Sequence, residues 1–511
     1  MKLEQSPGHE GNGCHERLVR WACVVLVLAA TVFHIALPIE EDQRSSFACA
    51  EQGEYLSTAF PATITDSYHL RGIGHKLLNY VIYKALKAVI GCDDKLHFEV
   101  GVKVFTAFFY LFISALSVWL ARLYLRSKHV APLVCWALVS AALLTTTPQV
   151  HFQAEEISVV LVMLGLGMSL NPSRIVQLLA GLPLALTFSM KGITLALGCL
   201  AIVARFAIEP RDWRAVLRLA GSFIICSGFV IVTTWLLFPQ ELRDLRDTAL
   251  IEDAQFTITD RVMNTWRAVR RGFVEMPMVI SGLIATIPVF LHYVSGKKFR
   301  PALGLAILWM APLVPALVQG KGFIYHLAGF LVPALISVIA LHSIVRRGGL
   351  AWPWQLGTAC IPVFICFLFT GPLPLFGGFN YWHVFQRAQS ERTLFSSWNK
   401  TFDLPAQPEI LYLTAGDVAY YLHAKSHLRY FVPVSIQRIS RNPKLREMAR
   451  FQEDLASAMS YRGKFIVLDE VWFKDTFVQL PELRHKIDSE YRRVAYHEPW
   501  AIYERQGESI Q

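Results

Sequence analysis

Residues 39–76 carry the densest set of side chains that could do chemistry in the first two-thirds of the chain. This stretch is the longest polar interruption there; it opens with three acids after an apolar run and closes with three bases before an amphipathic one, namely Glu40, Glu41 and Asp42, then Arg71, His75 and Lys76. A carboxylate within hydrogen-bond reach of a reacting hydroxyl can take its proton. The pattern indicates a site, with the alternative that the acids are solvated residues flanking a membrane helix.

Other ionisable residues stand at unusual places further along the chain. Lys191 interrupts an apolar stretch, Glu155 and Glu156 precede another, and His326 follows Tyr325 at the start of a third. An ionisable group inside an apolar segment is a functional candidate by default. The alternatives are that Lys191 reaches the membrane surface with its long side chain, that the two glutamates are solvated, and that His326 is a satisfied interfacial residue.

The composition indicates an integral membrane protein. Of 511 residues, 54% are hydrophobic and only 17% are charged, and the mean hydropathy is +0.38. The net charge of +10 comes from dispersed Lys and Arg rather than from one basic segment, which argues against nucleic acid as a partner. The nine cysteines show no metal-ligand spacing, although Cys49 and Cys92 lie on one predicted outer loop and could pair.

Spanning a bilayer takes roughly 20 apolar residues, and the sequence predicts about eleven such segments. Residues 1–18 form a polar tail, and the first apolar run has no cleavage site, so it is predicted to be a retained helix. The predicted spans are 19–38, 100–121, 130–147, 154–170, 175–189, 191–206, 215–238, 274–293, 301–318, 324–344 and 353–371.

The distribution of Lys and Arg among the loops predicts the orientation. Alternate loops are rich in these residues and are therefore cytoplasmic, whereas the loops that carry Glu40 to Asp42, Asp66, Glu155 and Glu156 face outward. An odd number of spans also places the C-terminal segment outside. The prediction is a multi-pass protein of the plasma or inner membrane, with residues 379–511 extracytoplasmic.

The first outer loop, residues 39–99, and the C-terminal segment are both predicted to be folded. Residues 51–60 and 77–90 have the pattern of interfacial helices. The C-terminal segment predicts a small α/β domain, with strands at 409–414, 464–468 and twice within 494–504, and helices at 417–424 and 443–461. It has neither a GxGxxG motif nor a P-loop, so no nucleotide site is predicted.

With these predicted spans, loops and C-terminal domain, the chain resembles the GT-C superfamily of polyprenyl-phosphate-dependent glycosyltransferases, in particular the protein O-mannosyltransferase and lipid A aminoarabinose transferase group. The sequence Glu41-Asp42-Gln43-Arg44 is similar to that group's Asp-Glu-x-Arg pattern with the acids exchanged. Residues 68–73 (YHLRGI) resemble its Tyr-x-x-Lys-Pro pattern, with Arg for Lys and Gly for Pro. Residues 148–168, 178–198 and 323–335 resemble later segments of the same group in the same order.

The resemblance implies a membrane module over residues 19–378 and a function for each candidate residue. A sugar donor on a polyprenyl phosphate binds from the outer leaflet, and Glu41 or Asp42 acts as general base on the acceptor hydroxyl. Cations and polar rings bind the donor phosphate, and these are Arg71, Lys76, Lys191, Lys321, Tyr325 and His326. Asp66, Glu155 and Glu156 are candidates for binding the acceptor or a divalent cation.

Several points stay open at the level of sequence. The acceptor is a lipid, a glycan or a protein, and no cofactor is implied beyond the divalent cation left open above. A polymerase or ligase acting on polyprenyl-linked glycans is an alternative, although its large outer loop is expected late in the chain. A secondary transporter is a weaker alternative, because no repeat of two similar halves is visible.

Overall fold

The computed structural model describes residues 10–39, 44, 47–48, 50–51, 72–91, 95–126, 131–145, 153–297, 299–348, 381–428 and 432–507, with isolated positions between 357 and 368. Most of the first outer loop and of the last predicted span therefore lies outside the described residues. The described part is mainly helical and ends in one small sheet.

Apolar helices dominate up to residue 347. In chain order they are α1 (Glu10–Ala36), α2 (Ile73–Ile90), α3 (Lys95–Leu125), α4 (Pro132–Leu144), α5 (Ala154–Leu170), α6 (Arg174–Leu179), α7 (Gly181–Met190), α8 (Leu195–Ile208), α9 (Trp213–Leu237), α10 (Pro239–Gln255), α11 (Ile258–Glu275), α12 (Pro277–Ser295), α13 (Phe299–Met310), α14 (Leu313–Gln319) and α15 (Leu331–Arg347). Helices α10 and α11 are the polar exceptions. Short 3₁₀ turns at Gly192–Thr194 and Ile324–Phe330 precede α8 and α15.

The chain is a multi-pass membrane protein, but the predicted count of eleven spans is not confirmed. Within the described residues, six helical segments are long and apolar enough to cross a membrane. Shorter apolar helices occupy predicted spans such as 130–147, and the span predicted at 301–318 is divided between α13 and α14. The predicted span 353–371 lies largely outside the described residues.

Helices α12 and α15 pack so closely that their backbones nearly touch. A Cβ built on Gly282 would lie 2.3 Å from the Cα of Ala334. Small residues allow such an approach, and helices in a bilayer associate largely through packing of this kind. The segment Ile324–Arg347, which consists of the 3₁₀ turn and α15, is the most buried of the six candidate spans, with 89% of its apolar window inside the protein.

The prediction of a helix at residues 77–90 is confirmed, and α2 begins four residues earlier than expected at Ile73. Helices α10 and α11 were not predicted. Helix α11 begins with a capping box in which Thr257 and Asp260 exchange side-chain and backbone hydrogen bonds. A buried ion pair joins α2 to α10: Lys76 Nζ lies 2.7 Å from Oε2 of Glu241.

The C-terminal part contains a four-stranded sheet in the order β1-β2-β4-β3. Its strands are β1 (Leu411–Leu413), β2 (Phe465–Asp469), β3 (Tyr491–His497) and β4 (Trp500–Arg505); β1 and β2 are parallel, and β4 pairs antiparallel with both neighbours. Its helices are α16 (Tyr381–Phe402), α17 (Gly416–Leu422), α18 (Ala449–Ser460), α19 (Glu470–Gln479) and α20 (Pro481–Glu490). The predicted strands are confirmed, but the helix predicted at 443–461 is a 3₁₀ turn (Pro443–Leu445) followed by α18.

Candidate functional site

Helix α2, which lies within the first outer loop, begins directly against the end of α7. The amide of Gly72 donates a hydrogen bond to the carbonyl of Met190 at 3.0 Å. A Cβ on Gly72 would lie 2.3 Å from the carbonyl oxygen of Ser189, so only glycine fits there. A proline at this position could not donate the hydrogen bond. The glycine that departs from the resembled motif thus fits a close contact of two backbones.

Lys191 follows Met190 and lies where the apolar stretch stops being helical. Its backbone is extended, with φ −164° and ψ 123°, and a 3₁₀ turn follows before α8 begins. Thr194 holds this break, because its hydroxyl donates to the carbonyls of Thr187 and Lys191. Where a helix is interrupted inside the membrane part, backbone groups that lack helical hydrogen bonds lie next to a charged side chain.

The Lys191 ammonium group makes a buried ion pair. Nζ lies 2.6 Å from Oε1 of Glu155 and 3.3 Å from Nε2 of His326, and this His nitrogen lies 3.7 Å from the same carboxylate oxygen. The side chain of Lys191 is 14% exposed and that of Glu155 is 3% exposed. The structure therefore brings together three residues that the sequence analysis singled out separately; we call them the Lys191 cluster.

Glu155 and Glu156 both belong to the first turn of α5, where the partial positive charge of a helix N-terminus favours carboxylates. Both residues are buried, at 2% and 1% exposure, so the alternative that they are solvated is wrong. Glu156 accepts a hydrogen bond of 2.8 Å from the hydroxyl of Tyr110 on α3. Of these two glutamates, only Glu155 has a described contact with Lys191.

Aromatic rings cover one side of the Lys191 cluster. Nζ of Lys191 lies 5.7 Å from the centroid of the Tyr325 ring, a cation–π distance. Tyr325 in turn stacks on Phe323 with centroids 5.3 Å apart and contacts the His326 ring edge-on at 4.7 Å. The tyrosine and histidine predicted to bind the donor phosphate thus lie beside the predicted lysine.

Two further predicted cations lie elsewhere. Lys76 is paired with Glu241, and both side chains are less than a tenth exposed. Lys321 lies in a cleft between the helical part and the C-terminal sheet, together with Phe323. Neither has a described contact with Lys191, so the sequence-predicted cations do not form one group.

Five predicted residues lie outside the described part of the chain: Glu41, Asp42, Asp66, Arg71 and the flanking Glu40. Cys49 and Cys92 also lie outside it, so their pairing stays a prediction. Within the described residues, no group of three or more His, Cys, Asp or Glu side chains could hold a metal ion.

Charged residues around the first outer loop make buried ion pairs that the sequence analysis missed. Arg44 Nη1 lies 2.9 Å from Glu391 on α16, with side chains 6% and 4% exposed. Glu51 contacts His423 at 2.6 Å and Lys95 at 3.8 Å. The Arg44–Glu391 and Glu51–His423 contacts join the start of the first outer loop to the C-terminal part across more than 340 residues of sequence, and no local pattern predicts them.

Two neighbouring tyrosines complete this junction. Lys95 Nζ lies 4.1 Å from the Tyr420 ring centroid, and the Arg44 guanidinium lies 5.2 Å from the Tyr421 ring centroid. A phenol is neutral at physiological pH at its ordinary pKa, and burial raises the pKa of both tyrosines further above that value. The cations of the junction are therefore held by ring faces and carboxylates, not by phenolates.

Replacing Arg44 with Gln is expected to destabilise the protein by about 1.5–3 kcal/mol, because Glu391 loses a charge-assisted hydrogen bond to the buried one of its two arginine partners. Arg387 provides a matched control: it pairs with the same Glu391 at 2.7 Å, but its side chain is 59% exposed. Arg387→Gln should cost only about 0–1 kcal/mol. Thermal unfolding of the purified variants measures both, and equal losses would contradict a buried junction.

No protein-family model matches this sequence, and no curated protein matches it significantly. Solved structures do match. The crystal structure of ArnT from Cupriavidus metallidurans bound to undecaprenyl phosphate is similar with a TM-score of 0.56 and 12% sequence identity, over 94% of this chain and 97% of that one. The oligosaccharyltransferase of Archaeoglobus fulgidus in complex with zinc and sulfate gives a TM-score of 0.44 and 13% identity, over 94% of this chain and 73% of that one.

The match to the ArnT structure spans nearly the full length of both chains, so the likeness covers the helical part and the C-terminal part together. At 12% identity the likeness is one of fold. The fold that the resemblance implied, a helical membrane part followed by a small α/β part, is confirmed by this likeness.

Proposed function

We propose that this chain, which has the GT-C fold, is a membrane glycosyltransferase that moves a sugar from a polyprenyl-phosphate donor to a hydroxyl acceptor. The observation that carries the proposal is the Lys191 cluster, a partly buried lysine with a buried carboxylate and a buried histidine at the break of a membrane helix. Buried ionisable groups in such a place are costly to the fold and mark ligand pathways. The acceptor is a lipid, a glycan or a protein.

The donor phosphate is assigned to Lys191, with Tyr325 and His326 beside it. A lysine ammonium is a compact charge suited to a phosphate oxygen, and the rings next to it exclude water from one side. Arg71 joins this group in the proposal, because it precedes Gly72, which is hydrogen-bonded to the residue before Lys191. Undecaprenyl phosphate is the ligand named with the ArnT structure, and the same class of lipid is proposed here.

The general base is assigned to Glu41 or Asp42. The carboxylate takes the proton of the acceptor hydroxyl, whose oxygen then bonds to the anomeric carbon of the sugar. The bond from that carbon to the phosphate oxygen breaks, and the polyprenyl phosphate leaves with the electron pair. Support comes from the neighbours of these acids in the chain, since Ile39 and Arg44 are both buried, at 1% and 5% exposure.

Membranes that contain the protein should transfer a radiolabelled sugar from at least one member of a panel of polyprenyl-phosphate sugars. Control membranes carry the double variant Glu41→Gln/Asp42→Asn, expressed at the same level. Transfer from no donor in the panel would count against the proposal. Extension of a lipid-linked glycan by several repeat units would favour the polymerase alternative, and uptake of the free sugar would favour the transporter.

The first outer loop, residues 39–99, and the C-terminal domain, residues 379–511, are proposed to lie on the same extracytoplasmic side. The pairs Arg44–Glu391 and Glu51–His423 support a common side, because their partners come from these two segments. The cytoplasmic loops, rich in Lys and Arg, then lie opposite. The proposed location is the plasma or inner membrane.

This topology predicts which engineered cysteines an impermeant maleimide labels in intact cells. In a background without native cysteines, Ala85→Cys and Lys474→Cys should be labelled, whereas Lys297→Cys should react only after lysis. All three positions are exposed in the structure, so accessibility alone does not separate them. Protection of either outer position in intact cells would contradict the topology.

A further inference from the structure

Arginines gather at one end of helices α6 and α9, on a surface that neither the donor nor the base of the proposed reaction uses. Arg174 begins α6, and Arg214 and Arg218 lie in the first two turns of α9. The helical segment Arg174–Met190 leads from this end of the bundle to the Lys191 cluster, and at 1.5 Å per residue it is about 25 Å long. The arginines therefore lie at the opposite end of the same membrane segment from that cluster.

The segment formed by α6 and α7 runs parallel to α9 and in close contact with it. Arg218 donates to Oε1 of Gln177 from Nε at 3.1 Å and from Nη2 at 2.6 Å. Further along both chains, a Cβ built on Gly181 would overlap the backbone of Phe223. The contacts advance in the same direction along both segments, as they do between parallel helices.

One helical turn before the contact of Arg218 with Gln177 lie the two other arginines. Arg174 precedes Gln177 by three residues and Arg214 precedes Arg218 by four, and these spacings place side chains on one face of a helix. Because the helices are parallel, Arg174 and Arg214 lie at one level, about 5 Å along the axis from Arg218. We call Arg174, Arg214, Arg218 and Gln177 the arginine groove.

Arg218 is held in position by a neutral partner. Gln177 is buried, and its side-chain amide donates to the carbonyl of Asn171 at 2.8 Å, which leaves its oxygen to accept from Arg218. An arginine has five N–H donors, and Gln177 accepts from only two of its nitrogens. The guanidinium group of Arg218 is therefore oriented without losing its charge and keeps donors for a ligand.

The acids nearest in sequence to the groove are bound to another arginine. Glu209 and Asp212 pair with Arg205 at 2.9 and 3.2 Å, and the Arg205 side chain is buried. In the part of the chain that the structure describes, no carboxylate lies within ion-pair distance of Arg174, Arg214 or Arg218. The groove thus keeps three positive charges that no described acid neutralises.

Exposed apolar side chains lie next to these charges. Ile175 and Leu178 on α6 and Leu217 on α9 are exposed, as expected for side chains that face lipid. Trp213 is exposed as well, and the guanidinium of Arg214 lies 5.7 Å from the centroid of its ring. Tryptophan is enriched at membrane–water interfaces. The groove therefore lies at the level of the head groups, with an apolar surface for acyl chains beside it.

We infer that the arginine groove binds the head group of an anionic phospholipid, in the leaflet opposite to the Lys191 cluster. Basic pockets between membrane helices are suited to such head groups, and an arginine fork matches the two oxygens of a phosphodiester. The general excess of Lys and Arg in cytoplasmic loops explains charge in this region, but it requires neither a buried glutamine that orients Arg218 nor the pairing of the local acids with Arg205. The inference does not depend on the proposed transferase function.

The test uses the full-length protein, delipidated in detergent and titrated with lipid under native mass spectrometry. The first molecule of dioleoyl phosphatidylglycerol should bind on the order of tenfold or more tightly than dioleoyl phosphatidylcholine, which has the same acyl chains and no net charge. Glycerol 1-phosphate, a head group without acyl chains, should not displace the bound lipid at equal concentration. Equal affinity for the two lipids would overturn the inference, and displacement by glycerol 1-phosphate would overturn the assignment of a lipid.

The double variant Arg174→Gln/Arg214→Gln should weaken binding of phosphatidylglycerol on the order of tenfold or more, because it removes two charges at the head-group level. Arg300→Gln/Arg346→Gln is the matched control: it removes two exposed arginines that belong to α13 and α15, outside the groove and on the same predicted side of the membrane. The control should bind as tightly as the unchanged protein. Equal losses in the two double variants would show a general effect of charge and would overturn the groove.

Arg218→Lys tests the orientation of the charge rather than its presence. Lysine keeps the positive charge but cannot present the planar fork that Gln177 orients, so binding of phosphatidylglycerol should weaken severalfold. The melting temperature in phosphatidylcholine nanodiscs reports whether this variant is folded, and the exposed positions of the double variant carry the test if it is not. Unchanged affinity in a folded Arg218→Lys variant would overturn the role of the Gln177–Arg218 contact in the groove.

Discussion

Replacing the proposed general base of the first outer loop with its amide is expected to lower the rate of transfer by about 10²- to 10⁴-fold, the usual cost of removing a positioned general base. The two substitutions are Glu41→Gln and Asp42→Asn. Each is nearly isosteric and removes only the ability to accept a proton. Glu41 is the favoured base, because it occupies the first acidic position of the Asp-Glu-x-Arg-like pattern, and Asp42 is the alternative.

The control variant for this experiment is Glu40→Gln. Glu40 carries the same charge in the same segment and is not assigned as the base, so Glu40→Gln is expected to change rate and stability little. Donor binding and the melting temperature should be unchanged in all three variants, and only turnover should fall. Near-normal transfer in every variant would move the catalytic role to Asp66, Glu155 or Glu156, or would contradict the transferase proposal.

The individual residues of the Lys191 cluster were predictable from the sequence, but their contacts were not. Lys191, Glu155 and His326 were each selected because an ionisable group stood in or beside an apolar segment. Lys191 is 36 residues from Glu155 and 135 residues from His326 in the chain. Only the packing of α5, α7 and the turn before α15 brings the three together, and hydropathy carries no information about that packing.

The same argument explains which elements the sequence analysis missed. Helices α10 and α11 lie between apolar spans and have low hydropathy, so a search for spans passes over them. The capping box that begins at Thr257 was a local signal for α11. Lys103 was a second missed signal: it is 1% exposed within α3, an ionisable residue inside an apolar stretch like Lys191.

The contacts of the junction and of the arginine groove could not be predicted, for a physical reason. Arg44 and Glu391 are 347 residues apart, and each alone is an ordinary polar residue of a loop or helix. In the groove, Gln177 and Arg218 come from two helices and are 41 residues apart. Long-range pairs of this kind are set by how separate elements meet, whereas strands, caps and spans follow from patterns within a few residues.

Lys191→Met is expected to weaken donor use and to destabilise the protein at the same time. The variant removes a cation proposed to bind the donor phosphate, and the loss of a charge-assisted hydrogen bond corresponds to about 1.5–3 kcal/mol, or about 10- to 100-fold in the KM for the donor. It also leaves Glu155, which is 3% exposed, as a buried carboxylate without its lysine. The single variant therefore cannot distinguish a ligand-binding lysine from a structural one.

The double variant Lys191→Met/Glu155→Gln makes that distinction, because it removes both charges of the pair with nearly unchanged side-chain volume. Its melting temperature should recover relative to the single variant, since no buried charge is left unpaired, whereas the KM for the donor should stay raised. Lys76→Met/Glu241→Gln is the matched comparison, because that buried pair has a similar distance of 2.7 Å and no described contact with the Lys191 cluster. Recovery of both stability and donor KM in the Lys191 double variant would show that Lys191 only balances Glu155, and the donor phosphate would then have to be bound by Arg71.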